Sequence, residues 1–294
     1  MSTYSESNFN TTHYNLARPS YPDEFYNTLI EYHDSTNSAH ELALDIGCGS
    51  GFVAFKLIDF FEKVIGTDIS STMVNQCRKT AKPGKNIQFL VGSAEQAPPE
   101  IQENSVDLIT GAECCHWVDH EKFFKESFRI LKPGGTLAYW FYKDPIFIGH
   151  DKANEIYTNY TYNSSMEMNK DDTFERYMGP YYQQPGHDYL RTLMKEIEVP
   201  TKYYKNVVRH EYDPVHHGAD STKTTLYISK KITLPAFLNY VKSWSAYHTW
   251  MTEHGSKYDI AEAFVNELKE AMNWDDTFEF EVVWATVYTF AKKK

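Results

Sequence analysis

Seven consecutive residues concentrate the chemistry of this chain: Asp45-Ile46-Gly47-Cys48-Gly49-Ser50-Gly51. Glycines at 47, 49 and 51 permit a tight turn and let a ligand approach the backbone closely. A helix opening behind them would offer free amide groups. A second carboxylate, Asp68, closes the next apolar run, where a group accepting hydrogen bonds from ribose hydroxyls is expected. Turn, helix and acid together point to an adenosine-type cofactor. The glycine spacing is G-x-G-x-G, whereas dinucleotide sites read G-x-G-x-x-G and expose amides to a pyrophosphate. Asp45, two residues ahead of the first glycine, would repel a pyrophosphate and suits a cationic amino group. S-adenosylmethionine carries a sulfonium, an ammonium and a ribose but no phosphate, and fits these residues better than NAD. The sequence has no G-x-x-x-x-G-K-[ST] loop, which disfavours a phosphate-cradling NTPase.

These residues need elements to position them. Short apolar runs occur at 42–46, 64–68, 87–91, 106–110 and 136–141. Helical spacing follows the glycine turn from Phe52 to Phe61, Ser70 is placed to cap a helix through about Thr80, and a helix is expected from about Asp119 to Leu131. Pro83-Gly84 and Lys132-Pro133-Gly134-Gly135 read as breaks, the latter a structural turn. Five strands alternating with helices imply a doubly wound α/β fold, its parallel sheet covered on both faces. Beyond Tyr142 the rhythm fails. Residues 144–184 show no clear period, 190–197 look helical, 206–212 strand-like and 213–224 loop-like. Residues 236–250 and 260–272 read as amphipathic helices and 278–290 as a final strand. The chain divides into an N-terminal lid or substrate segment (1–40), a cofactor-binding core (41–142), and substrate-pocket insertions plus the last strands of the same domain (143–294).

Composition limits the partners. Lys and Arg number 29 against 40 Asp and Glu, a net charge of −11, which disfavours nucleic acid and anionic membrane surfaces. No stretch has the roughly eighteen apolar residues of a membrane span. The polar start is not that of a secretory signal, so a reducing, cytoplasmic location is expected. The four cysteines show no zinc spacing, and Cys114-Cys115 read as small buried hydrophobes. His216-His217 lacks companion ligands, so no metal is assigned. Tyrosine is segregated: 22 are present, none between Tyr32 and Tyr139.

Asp45 to Gly51, Asp68 and Leu131-Lys132-Pro133-Gly134-Gly135-Thr136-Leu137 resemble the motifs of Rossmann-fold S-adenosylmethionine-dependent methyltransferases. The resemblance implies a mostly parallel seven-stranded sheet with the last strand antiparallel, and a helical or irregular insertion over the C-terminal edge. It places Asp45, Gly47, Gly49 and Gly51 at the cofactor, the first two near the methionine moiety. It puts Asp68 on the ribose, Ile69 on the adenine, Ser93 and Ala94 at the adenine edge, and Ala112 and Glu113 beside the cofactor. More specific segments are Tyr14-Asn15-Leu16-Ala17-Arg18-Pro19-Ser20-Tyr21-Pro22, Cys115-His116-Trp117-Val118-Asp119, Gly179-Pro180-Tyr181-Tyr182 with Gln184-Pro185-Gly186, Ser243-Trp244-Ser245-Ala246-Tyr247-His248, and Glu281-Val282-Val283-Trp284. Together they resemble the fungal trans-aconitate methyltransferase family over nearly the whole chain. That implies esterification of one carboxylate of a small di- or tricarboxylic acid.

A carboxylate is ionised at neutral pH and needs no general base to attack a sulfonium methyl. Alignment, partial desolvation and a fixed charge environment suffice. A hydroxyl acceptor would favour a positioned base, and His116 is the candidate. His116 is open to three roles: donor to substrate, base, or structural histidine. An anionic substrate in an acidic protein requires a local cation. Arg18 is the first choice for bidentate carboxylate binding, with a surface or capping role as the alternative; Arg191 and Arg209 are weaker options. Tyr14, Tyr142, Tyr181, Tyr182, Tyr247 and His248 can donate hydrogen bonds without adding charge. Trp117, Trp140, Trp244 and Trp284 can wall a cavity or face a sulfonium, or simply pack the core. Competing functions are a methyltransferase acting on a small-molecule hydroxyl and a regulatory protein that binds the cofactor without turnover. Oligomeric state is left open.

Overall fold

The computed structural model describes residues 18–36, 39–168 and 174–294. Helix α1 (Asp23–Asp34) precedes β1 (Leu42–Ile46), α2 (Phe52–Leu57), β2 (Lys63–Asp68), α3 (Ser71–Thr80), β3 (Ile87–Val91) and β4 (Val106–Ala112). Then come α4 (His120–Ile130), β5 (Leu131–Phe147), α5 (Asp151–Tyr162), the short α6 (Gly186–Arg191) and β6 (Tyr204–Tyr212). The chain ends with β7 (Ser229–Ile232), α7 (Leu234–Val241), α8 (Ser245–His254), α9 (Ile260–Met272) and β8 (Phe280–Lys293). Among the described residues no helix is long and apolar enough to cross a membrane.

The sheet order is β3-β2-β1-β4-β5-β8-β6. Strands β1 to β5 run parallel, and β8 pairs antiparallel with β5. Alternate strand residues feed two cores. Ala43 and Leu108 join Phe25, Leu57 and Val74 on one face; Leu44 and Ile109 join Phe123 and Ile130 on the other. This two-sided burial explains the near-continuous apolar runs of the central strands.

The sheet has eight strands, not the seven expected. Strand β8 runs for 14 residues, longer than any one neighbour on its outer side. That edge is shared: β6 pairs with residues 286–293 and β7 with residues 280–283, both antiparallel. Strand β5 is also longer than expected, because Leu131 to Gly135 already pair or lie within its span and it continues past an irregularity between Tyr142 and Pro145. The amphipathic segment expected to be one helix over 236–250 is two. Trp244 leaves helical geometry (φ −80°, ψ 144°). Its indole packs edge-on against Tyr240 and Tyr157, with centroids 5.4 and 5.9 Å away. Residues 144–184, where no period is visible, contain α5, whose Tyr157 and Tyr160 are buried. Residues 213–224, read as a loop, hold two single-turn helices at 214–217 and 221–223.

Candidate active site

The glycine turn leaves the carboxyl end of β1 and opens α2. Gly47 has φ +57°, and a Cβ added there would lie 2.5 Å from Cys114 Cβ, in the turn after β4. Only glycine meets both demands at once. Two carboxylates hold the turn. Asp45 Oδ1 accepts from Thr110 Oγ1 (2.8 Å) and Oδ2 from the Ala54 amide (3.1 Å), tying β1 to β4 and α2. Asp68 Oδ2 accepts from the Gly49 amide (2.9 Å) and Oδ1 from the Ser70 amide (2.8 Å), tying β2 to the turn and to the start of α3. Burial pushes Asp45 up to about 7; the Thr110 and Ala54 hydrogen bonds oppose this, and the charge of Asp68 adds to it. Burial raises Asp68 too, opposed by its two amide donors.

Above these groups lies a cavity of about 730 Å³. Asp45, Gly47, Gly49, Asp68, Ile69, Ala94 and Ala112, all expected at the cofactor, line one part of it. Ile69 is 64% exposed and offers an apolar surface to a flat ring. Gly51 and Ser93 do not line the cavity. Gly51 is the N-cap of α2, and Ser93 Oγ accepts from the Glu95 and Gln96 amides (3.1 and 3.2 Å) in its own turn.

Arg18, Glu113, Trp117 and Tyr142 also line the cavity. Arg18 donates to the Ser243 carbonyl (3.2 Å), and its guanidinium carbon lies 5.6 Å from the Tyr240 ring centre. Glu113 has a left-handed backbone (φ +55°), donates its amide to Trp140 O (3.0 Å), and accepts at Oε1 from the Tyr142 amide (2.5 Å). Burial pushes Glu113 up to about 8, opposed by that amide and by the charge of Arg18. Trp117 is 45% exposed and sits over Gly186, where a Cβ would come within 2.2 Å of its ring.

Other expected substrate groups lie elsewhere. Tyr14 is outside the described residues. Tyr181 pairs with His254 Nε2 (2.5 Å), Tyr182 stacks on His187 (3.8 Å), and Tyr247 donates to Asp259 (3.1 Å). His248 neighbours Tyr247, with ring centres 5.3 Å apart. Trp284 donates to the Tyr240 hydroxyl (3.1 Å), and Trp244 and Trp140 are buried in the same core cluster. Of these rings Trp284 packs against Tyr142, with ring centres 6.2 Å apart. Arg191 binds the Thr161 carbonyl (2.7 Å) and Arg209 binds Glu211 (2.5 Å), so neither reaches the cavity.

His116 is 5% exposed and does not line the cavity. Its ring packs 4.9 Å from Trp117 and 6.3 Å from Phe141, and its Nδ1 has no hydrogen-bond partner among the described residues. Burial, then the charge of His120, pushes it down to about 3. It is a buried, neutral imidazole with little basicity. His33, Asp34 and His40 have ligand-like spacing for a metal. Their four ring nitrogens already meet Thr136 Oγ1, Ala39 O, Phe60 O and Asp34 Oδ1.

Sequence reasoning missed Tyr21, Met73 and the Gln183-Gln184-Pro185 edge of the cavity. Gln184-Pro185-Gly186 stood out as a motif, but nothing local indicated that it crosses the sheet's carboxyl end.

A parallel sheet with a glycine turn after β1, an acid ending β2 and an open cavity at the strands' carboxyl ends defines a Rossmann-like nucleoside-cofactor enzyme. The carboxylates and apolar Ile69 suit a ligand with a ribose, a purine and an ammonium, and the cavity volume is in the usual range for such ligands. A family model for a methyltransferase domain matches residues 44–139. The chain is 32% identical, over 99% of its length and 98% of the relative's, to the Saccharomyces cerevisiae protein named "Probable S-adenosylmethionine-dependent methyltransferase CRG1". The fold is shared with a chain assigned as a type II methyltransferase from Anaeromyxobacter dehalogenans (TM-score 0.63, 21% identity, covering 94% and 97% of the two chains). It is also shared with Haemonchus contortus phosphoethanolamine N-methyltransferase 2, solved with S-adenosyl-L-methionine (TM-score 0.52, 16% identity, covering 100% of this chain and 60% of that one). The chain belongs to the S-adenosylmethionine-dependent methyltransferases, and S-adenosylmethionine is its cofactor.

Proposed function

We propose that the enzyme esterifies a carboxylate of a small di- or tricarboxylic acid, trans-aconitate being the member that the sequence resemblance suggests. The cofactor supplies an electrophilic methyl group. The residues of this chain bind, orient and desolvate the acceptor. The observation that carries the reading is the character of the cavity wall: Arg18 is its basic residue, and no histidine is among the lining residues described. An acceptor that arrives ionised requires a cation and no base. The alternative, a hydroxyl acceptor deprotonated by His116, is opposed by the position and low basicity of that ring. Asp68 and Glu95 also line the cavity, which favours docking one carboxylate at Arg18 and keeping others toward solvent. A small anionic partner and a cytoplasmic location belong to the same proposal, as do the assignments of the lining residues.

The test is product identification by mass spectrometry after incubation with S-adenosylmethionine and a panel of di- and tricarboxylates, hydroxyl compounds and thiols. A monomethyl ester is expected; methylation confined to a hydroxyl or thiol refutes the reading. Arg18→Ala is expected to lower acceptor kcat/KM by about 10- to 100-fold, the scale of a charge-assisted hydrogen bond. Binding of S-adenosylhomocysteine should stay within about threefold, because the cofactor carboxylates are held by other partners.

A further inference from the structure

We propose that Glu113 is an acceptor-recognition residue whose Oε2–H donates a hydrogen bond to a carboxylate oxygen of the acceptor, beside the Arg18 guanidinium. This rests on the carboxylate reading above and assigns Glu113 to the acceptor instead of the cofactor. The geometry starts at the end of β4. Glu113 holds a left-handed φ of +55°, unusual for a residue with a side chain and common where a site over-determines the backbone. Both ends of the residue are fixed to β5: its amide donates to Trp140 O (3.0 Å), and its Oε1 accepts from the Tyr142 amide (2.5 Å). Because an amide N–H engages Oε1, a proton on this carboxyl resides on Oε2. Oε2 has no hydrogen-bond partner among the described residues, and Glu113 lines the cavity.

The groups that act on Glu113 are Arg18, Tyr240 and the Tyr142 amide. Arg18 stays cationic at all working pH values. Burial, the largest effect, pushes Tyr240 up to about 12, so its hydroxyl stays neutral. Glu113, raised to about 8, is therefore the member of this group that changes state between pH 7 and 9. Neutral Glu113 beside Arg18 presents donors and a net positive charge to an incoming anion. Ionised Glu113 presents only acceptors and cancels the guanidinium.

The first experiment needs no variant. Binding of trans-aconitate, and then tricarballylate, to the full chain loaded with S-adenosylhomocysteine is measured by calorimetry in buffers of different ionisation enthalpy. Uptake of about 0.9 proton is expected at pH 9 and almost none at pH 6.5, from a group titrating near 8. Binding without uptake at pH 9 overturns this inference alone. No binding and no ester from any acid overturns the carboxylate reading with it.

The second experiment uses turnover. Wild-type kcat/KM for the acceptor is expected to fall about tenfold per unit above pH 8. Glu113→Gln keeps an acceptor for the Tyr142 amide and a donor on Nε2, so it should retain activity within about tenfold at pH 7 and lose the falling limb. Glu113→Ala should lose about 10- to 100-fold at pH 7. Persistence of the falling limb in Glu113→Gln, or its absence from the wild type, overturns the inference.

Discussion

Replacing Gly47 by alanine tests how the cofactor turn is built, because two separable costs fall on one residue. The first is conformational: φ is +57°, and a left-handed residue with a Cβ costs about 1–2 kcal/mol. The second is steric. The new Cβ would stand 2.5 Å from Cys114 Cβ and 2.9 Å from Cys114 Sγ. The Cβ is bonded to the backbone of the turn after β4 and cannot swing aside, so either the loop or that turn must move. Overpacking of this kind costs about 1–3 kcal/mol. The combined penalty is roughly 2–5 kcal/mol, divided between stability and cofactor binding according to which segment yields. If all of it falls on binding, affinity for S-adenosylhomocysteine drops by about 30-fold to several thousand-fold. If all of it falls on folding, Tm drops by about 5–15 °C. Calorimetric titration and thermal melts measured together capture both. The double variants separate the two costs: Gly47→Ala with Cys114→Ala retains the clashing Cβ and should recover little, whereas Gly47→Ala with Cys114→Gly should recover the steric part. A Gly47→Ala protein with wild-type Tm and affinity within twofold would refute this account of the turn.

Two further predictions concern the same wall and turn. Asp45 titrates near 7 in the fold, against an ordinary value near 4 in the unfolded chain. The native state therefore holds more protons between those values, and ligand-free stability should fall as pH rises from about 4 to 7. Asp45→Asn should flatten that slope in urea denaturation at pH 5 and 7; an unchanged slope would place the titration elsewhere. Gly186→Ala should displace the Trp117 ring, since the new Cβ meets it at 2.2 Å. A shift in tryptophan emission and a loss of about tenfold in acceptor kcat/KM are expected, on the 1–3 kcal/mol scale of overpacking. Unaltered emission and kinetics would mean that the contact does not shape the cavity.

The cofactor half was legible because its signals are local. A glycine turn between an apolar run and an amphipathic helix encodes a strand, a sharp turn and a helix start within about fifteen residues. Asp45 and Asp68 stand out on that basis, and their hydrogen bonds to Ala54, Gly49 and Ser70 stay within the same β1-α2-β2-α3 segment. The acceptor half resisted reading because its contacts join distant segments. Arg18 meets Ser243, 225 residues away, and Trp284 meets Tyr240 across 44 residues. Aromatic residues suited to a pocket and those suited to a core have the same composition. Trp244 and Trp284 were therefore indistinguishable from Trp117 until packing buried the first two in the core and left the third exposed on the cavity wall. His116 shows the same ambiguity: next to Trp117 in sequence, it is buried and does not line the cavity that Trp117 lines.

The tyrosine distribution marks the same division. Between Tyr32 and Tyr139 the chain packs aliphatic residues and phenylalanine on two faces of a parallel sheet, a pattern that short-range periodicity states fully. The sequence alone determined that sheet, its turn and the class of cofactor. Only the tertiary structure decided that β8 takes two outer neighbours, that one amphipathic stretch splits at Trp244, and that the half-buried Glu113 lies in the field of Arg18. The physical reason is range. Strand period, helix spacing and turn chemistry act over a few residues, whereas burial and the electrostatic field at a cavity wall are summed over every segment that packs there.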